Sequence, residues 1–125
     1  ATSQVVINRA FSDRYPDTIC EVITQGPIRE SWKTKKDPTL EAHERKYYPV
    51  RNRCQFSWYC DGRSDSINNL DGWEDSILAA YIVYMGFGED RVDGATHYYA
   101  HKKANPSWAK NMVVTAKMDG HTYLK

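Results

Sequence analysis

An apolar stripe in the second half of the chain commits that segment to a helix. Apolar side chains recur there at the spacing of a single helix face, at Trp73, Ile77, Ala80, Tyr81 and Tyr84. Asp71, followed three residues later by Glu74, has the pattern of a capping box, and Gly86 marks the end. Further apolar residues widen the stripe, namely Leu78, Ile82 and Met85. We therefore expect a largely buried core helix.

The last third of the chain is typical of a small antiparallel sheet. Residues 96–100 are rich in strand formers, and the runs 113–118 and 121–124 flank an Asp119-Gly120 dipeptide. Asp-Gly between two strand-like runs is a strong hairpin signal. Pro106 is well placed in the first turn of a short helical segment that separates the strands.

Two helices are predicted near the N-terminus. Apolar spacing predicts one within residues 1–11. It lacks a start signal, so we expect its first half to precede Ala1. Asp17 or Thr18 can cap a second helix, which ends at Gly26-Pro27. Residues 28–52 are mostly charged, and we expect them to form a surface excursion with one helical stretch, Pro38 to Lys46.

Size and charge narrow the class of protein. A chain of 125 residues predicts one domain, 1–125. The fold class expected is α+β, mainly helical, with the antiparallel sheet in the C-terminal third. Seventeen basic residues nearly balance sixteen acidic ones, which argues against a nucleic-acid partner. No apolar run is long enough to span a membrane.

The segment Arg53–Asp65 concentrates chemistry in a few residues. It combines two cysteines with aromatic, amide, hydroxyl and carboxylate side chains. Aromatic planes with a few polar groups are typical of a ligand groove, although a disulfide-stapled surface loop fits equally well. Cys54 can pair with Cys60, or Cys20 can pair with either, and the sequence does not choose. Cys20 is otherwise expected to be a buried thiol.

A zinc site is a weaker interpretation of Cys54, Cys60, His97 and His101. The cysteine spacing is wider than that of zinc motifs. On a strand, the two histidine Cα atoms would lie ~13 Å apart, at about 3.3 Å per residue. We therefore expect no metal site and no cofactor.

Five stretches in order resemble the SleB/CwlJ-type cell wall hydrolases: Ser3–Arg9, Tyr15–Cys20, Cys54–Asp65, Gly94–Ala100 and Asn105–Lys110. This family includes spore-cortex-lytic enzymes, bacterial wall hydrolases and phage lysis or virion proteins. The resemblance implies a lysozyme-like fold with a glycan groove, and lytic-transglycosylase or muramidase action on peptidoglycan. It also implies an extracytoplasmic location, with phage virion association and other virion or wall-lysis proteins as further expectations.

The resemblance assigns a glutamic acid as proton donor, in a Glu-Ala-Arg-like motif on the helix leading into Gln4–Arg9. No glutamate in residues 1–20 can take that role, so we expect the acid upstream of residue 1. Another chain could supply it instead, or the chain could be a non-catalytic peptidoglycan-binding or virion structural module. A metal-dependent peptidase or amidase is a third hypothesis.

The resemblance also implies substrate-binding residues. Gln55 and Ser57 would bond sugar substituents, His97 and Asn105 would orient substrate, and the stacking rings would be Trp58, Tyr98 and Tyr99. Because strand neighbours face opposite ways, only one of the two tyrosines can line the groove. Phe56 and Trp108 are expected in the core.

Overall fold

The computed structural model describes all residues from Ala1 to Lys125. The chain forms two compact units, the first combining Ala1–Val22 with Ile67–Lys125 and the second comprising Ile23–Ser66. Helices and two small antiparallel sheets make up the chain, which confirms the α+β class. The assignment of residues 1–125 to a single hydrolase domain stays a prediction.

Both helices predicted near the N-terminus are present, and the second of them runs across the boundary between the two units. Helix α1 spans Thr2–Ala10, as predicted. Helix α2 spans Ile19–Thr24, and the Thr18 hydroxyl accepts a hydrogen bond from the Glu21 backbone N–H at 3.2 Å. This bond is the cap expected at Thr18, because it satisfies one of the first orphan N–H groups of the helix.

The C-terminal sheet is confirmed, with strands in the order β3–β5–β4. Its strands are β3, His97–Ala100; β4, Val114–Met118; and β5, His121–Leu124. Asp119 and Gly120 have φ values of 51° and 76°, which are the two positive angles of a type I′ hairpin turn. The ladder slips between Val114 and Ala116, and the extra residue, Thr115, donates its hydroxyl to the Val92 carbonyl at 2.6 Å.

A small core joins α1 to this sheet. Its buried members are Val5, Val92, Ala95 and Tyr123, with Tyr98, Ala116 and Met118 packed against them. The Asn8 amide donates to the Ala95 carbonyl at 3.0 Å and to Asp90 Oδ2 at 3.3 Å. Asp90 in turn accepts from the backbone N–H groups of Val92 and Gly94. Helix α1 is therefore fixed to the loop that enters β3.

Helix α4, Leu70–Met85, corrects two expectations. Its N-cap is Asn69, whose side chain accepts from the Gly72 N–H at 3.0 Å, so the Asp71–Glu74 capping box is wrong. Asn is as good a cap as Asp, and it lies two residues earlier. None of the helix is buried. An apolar stripe shows what a helix can bury, whereas burial itself needs a partner surface.

The second unit holds the charged segment. Strands β1, Ile28–Glu30, and β2, Tyr47–Pro49, pair antiparallel. Helix α3 is the short stretch Trp32–Lys35, and residues 42–44 form a 3₁₀ turn. None of the side chains in residues 28–52 is buried.

In place of the helix predicted from Pro38 to Lys46, this stretch contains a single 3₁₀ turn at residues 42–44. The Arg45 guanidinium donates to the carbonyls of Thr34, Asp37 and Leu40, and to the Glu30 carboxylate at 2.8 Å. Of these carbonyls, that of Leu40 lies within the predicted helix, and a carbonyl satisfied by a side chain does not need a helical partner. Paired in this way, Arg45 has a pKa raised above its ordinary value, chiefly by the Glu30 hydrogen bond.

Cys54 and Cys60 form a disulfide. Cys20, on α2, is exposed rather than buried and lies outside this bond. Within the closed loop Phe56 is buried, as expected. Gly26 lies against the loop so closely that an added Cβ would be 2.9 Å from the Cys54 Cα.

We expect Gly26→Ala to lower the free energy of unfolding by roughly 1–3 kcal/mol, because backbone must move to admit the methyl group. Urea unfolding followed by circular dichroism measures the change. Gly88→Ala is the matched control, since its Cβ would meet only the Ile82 side chain at 3.5 Å. Equal effects of the two substitutions would contradict the close approach.

Replacing Cys54 and Cys60 together by Ala should cost about 2 kcal/mol, the chain-entropy value for so short a loop. Thermal unfolding of the double variant and of the parent protein, both without reductant, measures the difference in stability. Cys20→Ser should not reproduce that loss, and a loss of about 2 kcal/mol with Cys20→Ser but not with the double variant would contradict the assigned bond.

Candidate functional site

One face of β3 carries half-buried imidazole and tyrosine groups, with an exposed tryptophan beside them. The rings of His97 and Trp108 lie 5.5 Å apart between centroids, and Tyr99 meets Trp108 edge-on at 5.9 Å. Trp108 comes from a 3₁₀ turn, Ser107–Asn111, that follows Pro106. It is 44 % exposed, so the core assignment of Trp108 is wrong. The ring packs on the outer face of the sheet because residues 97 and 99 point the same way.

The other side of His97 contacts a buried cation and its aromatic partner. The Arg9 guanidinium lies 4.8 Å from the centroid of the Tyr15 ring, within cation–π distance. Tyr15 meets His97 edge-on at 6.3 Å. Arg9 is buried, and its Nε donates to the Thr96 carbonyl at 2.6 Å. We call Arg9, Tyr15, His97, Tyr99 and Trp108 the His97 cluster.

The electrostatics of the cluster favour a neutral imidazole. Burial lowers the pKa of His97 below its ordinary value, and the positive charge of Arg9 lowers it further. Burial also lowers the pKa of Arg9 from its high ordinary value, and nearby Tyr15 and Tyr98 oppose that effect. The Nδ1 atom of His97 is 3.0 Å from the Thr96 hydroxyl, which can donate to a bare Nδ1 or accept from a protonated one.

Tyr98 lies on the opposite face of β3. Its ring stacks on Tyr123 at 5.9 Å and meets His121 edge-on at 5.7 Å. Burial raises the pKa of Tyr98, with a further contribution from Tyr123. Tyr98 is thus a core-facing ring, and Tyr99 is the tyrosine beside His97. Asn105 is exposed between β3 and the Trp108 turn.

The second unit carries the remaining predicted residues. Gln55, Ser57 and Trp58 are all exposed, and Trp58 lies 6.0 Å from the buried ring of Phe56. The Gln55 backbone N–H donates to the Gln25 carbonyl at 2.9 Å, which holds the start of the loop in place. The anchored backbone leaves the three side chains available to a ligand.

The five side chains of the His97 cluster comprise one cation, one imidazole and three aromatic rings, with no carboxyl group among them. Such a surface can stack against a flat ligand face and can exchange hydrogen bonds through the imidazole. Sequence reasoning found His97 and Tyr99 but missed Arg9, Tyr15 and Trp108. The motifs that contain them offered a signal, since all three lie in stretches matched by the family resemblance.

Comparison with known proteins assigns the family. The model of the cell wall hydrolase family matches residues 1–124. The chain therefore belongs to the cell wall hydrolase family. Its substrate class is peptidoglycan, and it acts outside the cytoplasm. A search of curated proteins finds no match.

The fold has a solved counterpart. The catalytic domain of the Bacillus cereus SleB protein superimposes with a TM-score of 0.54 at 19 % sequence identity. The match covers 100 % of this chain and 72 % of that one. At this identity the likeness concerns the fold alone. Among the helices of the chain, none is long and apolar enough to cross a bilayer.

The lowered pKa of His97 predicts how the stability of the fold depends on pH. Because its pKa is lowered in the folded state, the unfolded chain takes up the proton first as pH falls. The contribution of His97 to stability is therefore full above the unfolded pKa of about 6.5, and is lost as pH falls below it toward the lower folded pKa.

Urea midpoints between pH 7.5 and 5 should fall less steeply in His97→Gln than in the parent protein. Gly88→Ala, which removes no titrating group, provides the control and should keep the parental slope. An NMR titration of His97 with a midpoint above the ordinary histidine value would refute the argument.

Proposed function

We propose that this chain cleaves glycan strands of peptidoglycan at a glycosidic bond, as a lytic transglycosylase or a muramidase. The observation that carries the proposal is the partly exposed face of β3, where His97, Tyr99 and Trp108 lie together in a member of the cell wall hydrolase family. Aromatic faces carry negative charge, which attracts the C–H groups on the flat side of a sugar.

The polar groups supply hydrogen bonds to the substrate. A neutral His97 can hydrogen-bond a hydroxyl or acetamido group without bringing a charge. Other exposed polar groups can also hydrogen-bond the sugar, namely the side chains of Asn105, Gln55 and Ser57. Trp58 is a further exposed ring that can stack on a sugar face. We propose that the two units together form one hydrolase domain, as the extent of the family match supports.

The proton donor in this proposal is a glutamic acid upstream of residue 1. Protonation of the glycosidic oxygen by a carboxyl group is the common step of glycoside cleavage. In the transglycosylase reaction the muramoyl sugar's own hydroxyl then attacks its anomeric carbon, which gives an anhydro sugar. In the muramidase reaction water attacks instead, which gives a reducing end.

The products distinguish the two reactions. Protein expressed from its complete natural reading frame is incubated with purified sacculi, and the released muropeptides are identified by mass spectrometry. Anhydro ends support the transglycosylase and reducing ends the muramidase. Release of neither by a folded protein would refute glycan cleavage.

A non-catalytic peptidoglycan-binding or virion structural module is the second candidate, favoured by the absence of a carboxyl group from the His97 cluster. It predicts retention on insoluble peptidoglycan without release of muropeptides. Association with a phage particle and its other lysis or virion proteins belongs to the same proposal.

Trp108→Ala should reduce kcat/KM on sacculi about tenfold to a hundredfold, the range expected when a central aromatic contact is removed. Trp73→Ala is the matched control, because Trp73 is 45 % exposed and lies on α4. Both variants are checked for parental thermal unfolding. An equal loss of activity in the two would count against the β3 face.

A further inference from the structure

The second unit contains an open pocket that none of the predicted site residues lines. Its volume is about 340 Å³, and its lining residues are Arg29, Glu30, Ser31, Trp32 and Tyr48. Small-ligand clefts fall between roughly 300 and 1,000 Å³. The pocket is therefore large enough for a small organic group.

Regular structure positions each wall of the pocket. Arg29 and Tyr48 are partners across the β1–β2 ladder, so their side chains leave the same face of the pair. The Ser31 side chain caps α3 by accepting from the Lys33 N–H, which places Trp32 at the first helical position. The Ser31 N–H itself donates to the Lys46 carbonyl at 2.7 Å, which ties this corner to the residue that precedes β2.

The charges of the pocket do not cancel. Glu30 is paired with Arg45 at 2.8 Å, and Arg45 is held by three backbone carbonyls as well. Because Glu30 is paired with Arg45, it does not neutralise Arg29. The guanidinium of Arg29 therefore gives the pocket a positive charge. Residues 23–66 carry nine Lys and Arg against six Asp and Glu, so the surrounding unit is also basic.

The aromatic walls are open to solvent. Trp32 is 66 % exposed and Tyr48 is 56 % exposed. The Lys36 Nζ lies 4.6 Å from the centroid of the Trp32 ring, which restrains the ring and adds a second cation beside it. Exposed apolar surface that is contiguous and edged by polar groups is typical of a ligand-binding groove.

We propose that this pocket binds an acetamido sugar that carries a carboxylate, with Trp32 and Tyr48 against the sugar and Arg29 paired with the carboxylate. In a cell wall this chemistry belongs to a muramoyl unit whose lactyl carboxylate is free, that is, one that carries no stem peptide. A phosphate polymer would also be attracted by the cations, but it offers no flat ring for two aromatic walls. The site is additional to the cleavage site, and it rests on the proposed function only for the class of ligand.

Two sugars that differ by one group test the proposal. N-acetylmuramic acid is N-acetylglucosamine with a lactyl carboxylate attached, and both are titrated into the ¹⁵N-labelled protein. We expect the acid to bind about tenfold more tightly, as one charge-assisted hydrogen-bonded pair supplies. Raising the ionic strength from about 0.01 M to 1 M should remove most of that preference.

The variants separate the two contributions. Arg29→Gln should abolish the preference for the acid, whereas Arg53→Gln, which changes a cation outside the pocket, should keep it. Trp32→Ala and Tyr48→Ala should each weaken both sugars about tenfold, and Trp32→Phe should restore most of the binding. Tyr47→Ala is the matched aromatic control, because Tyr47 is the next residue on β2, is 53 % exposed and does not line the pocket.

The outcomes bear on this site independently of the cleavage activity. Unchanged binding in both Arg29→Gln and Trp32→Ala would overturn the proposal, and so would binding of glycerol phosphate as tight as that of N-acetylmuramic acid. Release of muropeptides is measured separately. Protein that binds the acid through the pocket but cleaves nothing refutes only the proposed cleavage.

Discussion

Two consecutive side chains of α1 hold the first unit together. Asn8 donates to the carbonyl of Ala95, and Arg9 donates to the carbonyl of Thr96. These are the last two residues before β3, so the helix and the strand are joined where the strand begins. A buried carbonyl without a partner is costly, and a buried guanidinium without acceptors is costlier still. Each group therefore requires the other, and the His97 face depends on both.

Arg9 also affects the electrostatics of the His97 cluster. Arg9 is the cation that stacks on Tyr15 and helps to keep His97 neutral. The residue that anchors the helix thus adds to the effect of burial in lowering the pKa of His97. The aromatic rings then surround an imidazole that can accept and donate without a net charge.

Local signals in the sequence predicted local structure well. The α1 periodicity, the Thr18 cap and the Asp119-Gly120 turn are each decided within a few residues, and all three are confirmed. The failures involve distant partners. The burial of α4 depends on a covering surface, and the form of residues 30–45 depends on a single arginine that bonds three backbone carbonyls and one carboxylate.

In the candidate site, too, local contacts could be predicted from the sequence and distant ones could not. His97 and Tyr99 could be placed on one face from strand alternation alone, whereas Trp108 joins them only because a 3₁₀ turn returns to the sheet. The pocket around Trp32 had no signal beyond exposed aromatic residues in a charged segment. Its walls come from a ladder between residues almost twenty positions apart, which composition does not reveal.

The bonds from α1 to the entrance of β3 close a loop of 87 residues. The entropy of closing a loop grows only with the logarithm of its length, so doubling the loop costs about 0.6 kcal/mol. Inserting or deleting a whole subdomain between the two anchor points would thus hardly alter the closure of the first unit. This part of the polypeptide is where lineages of the fold can diverge in length at small thermodynamic expense.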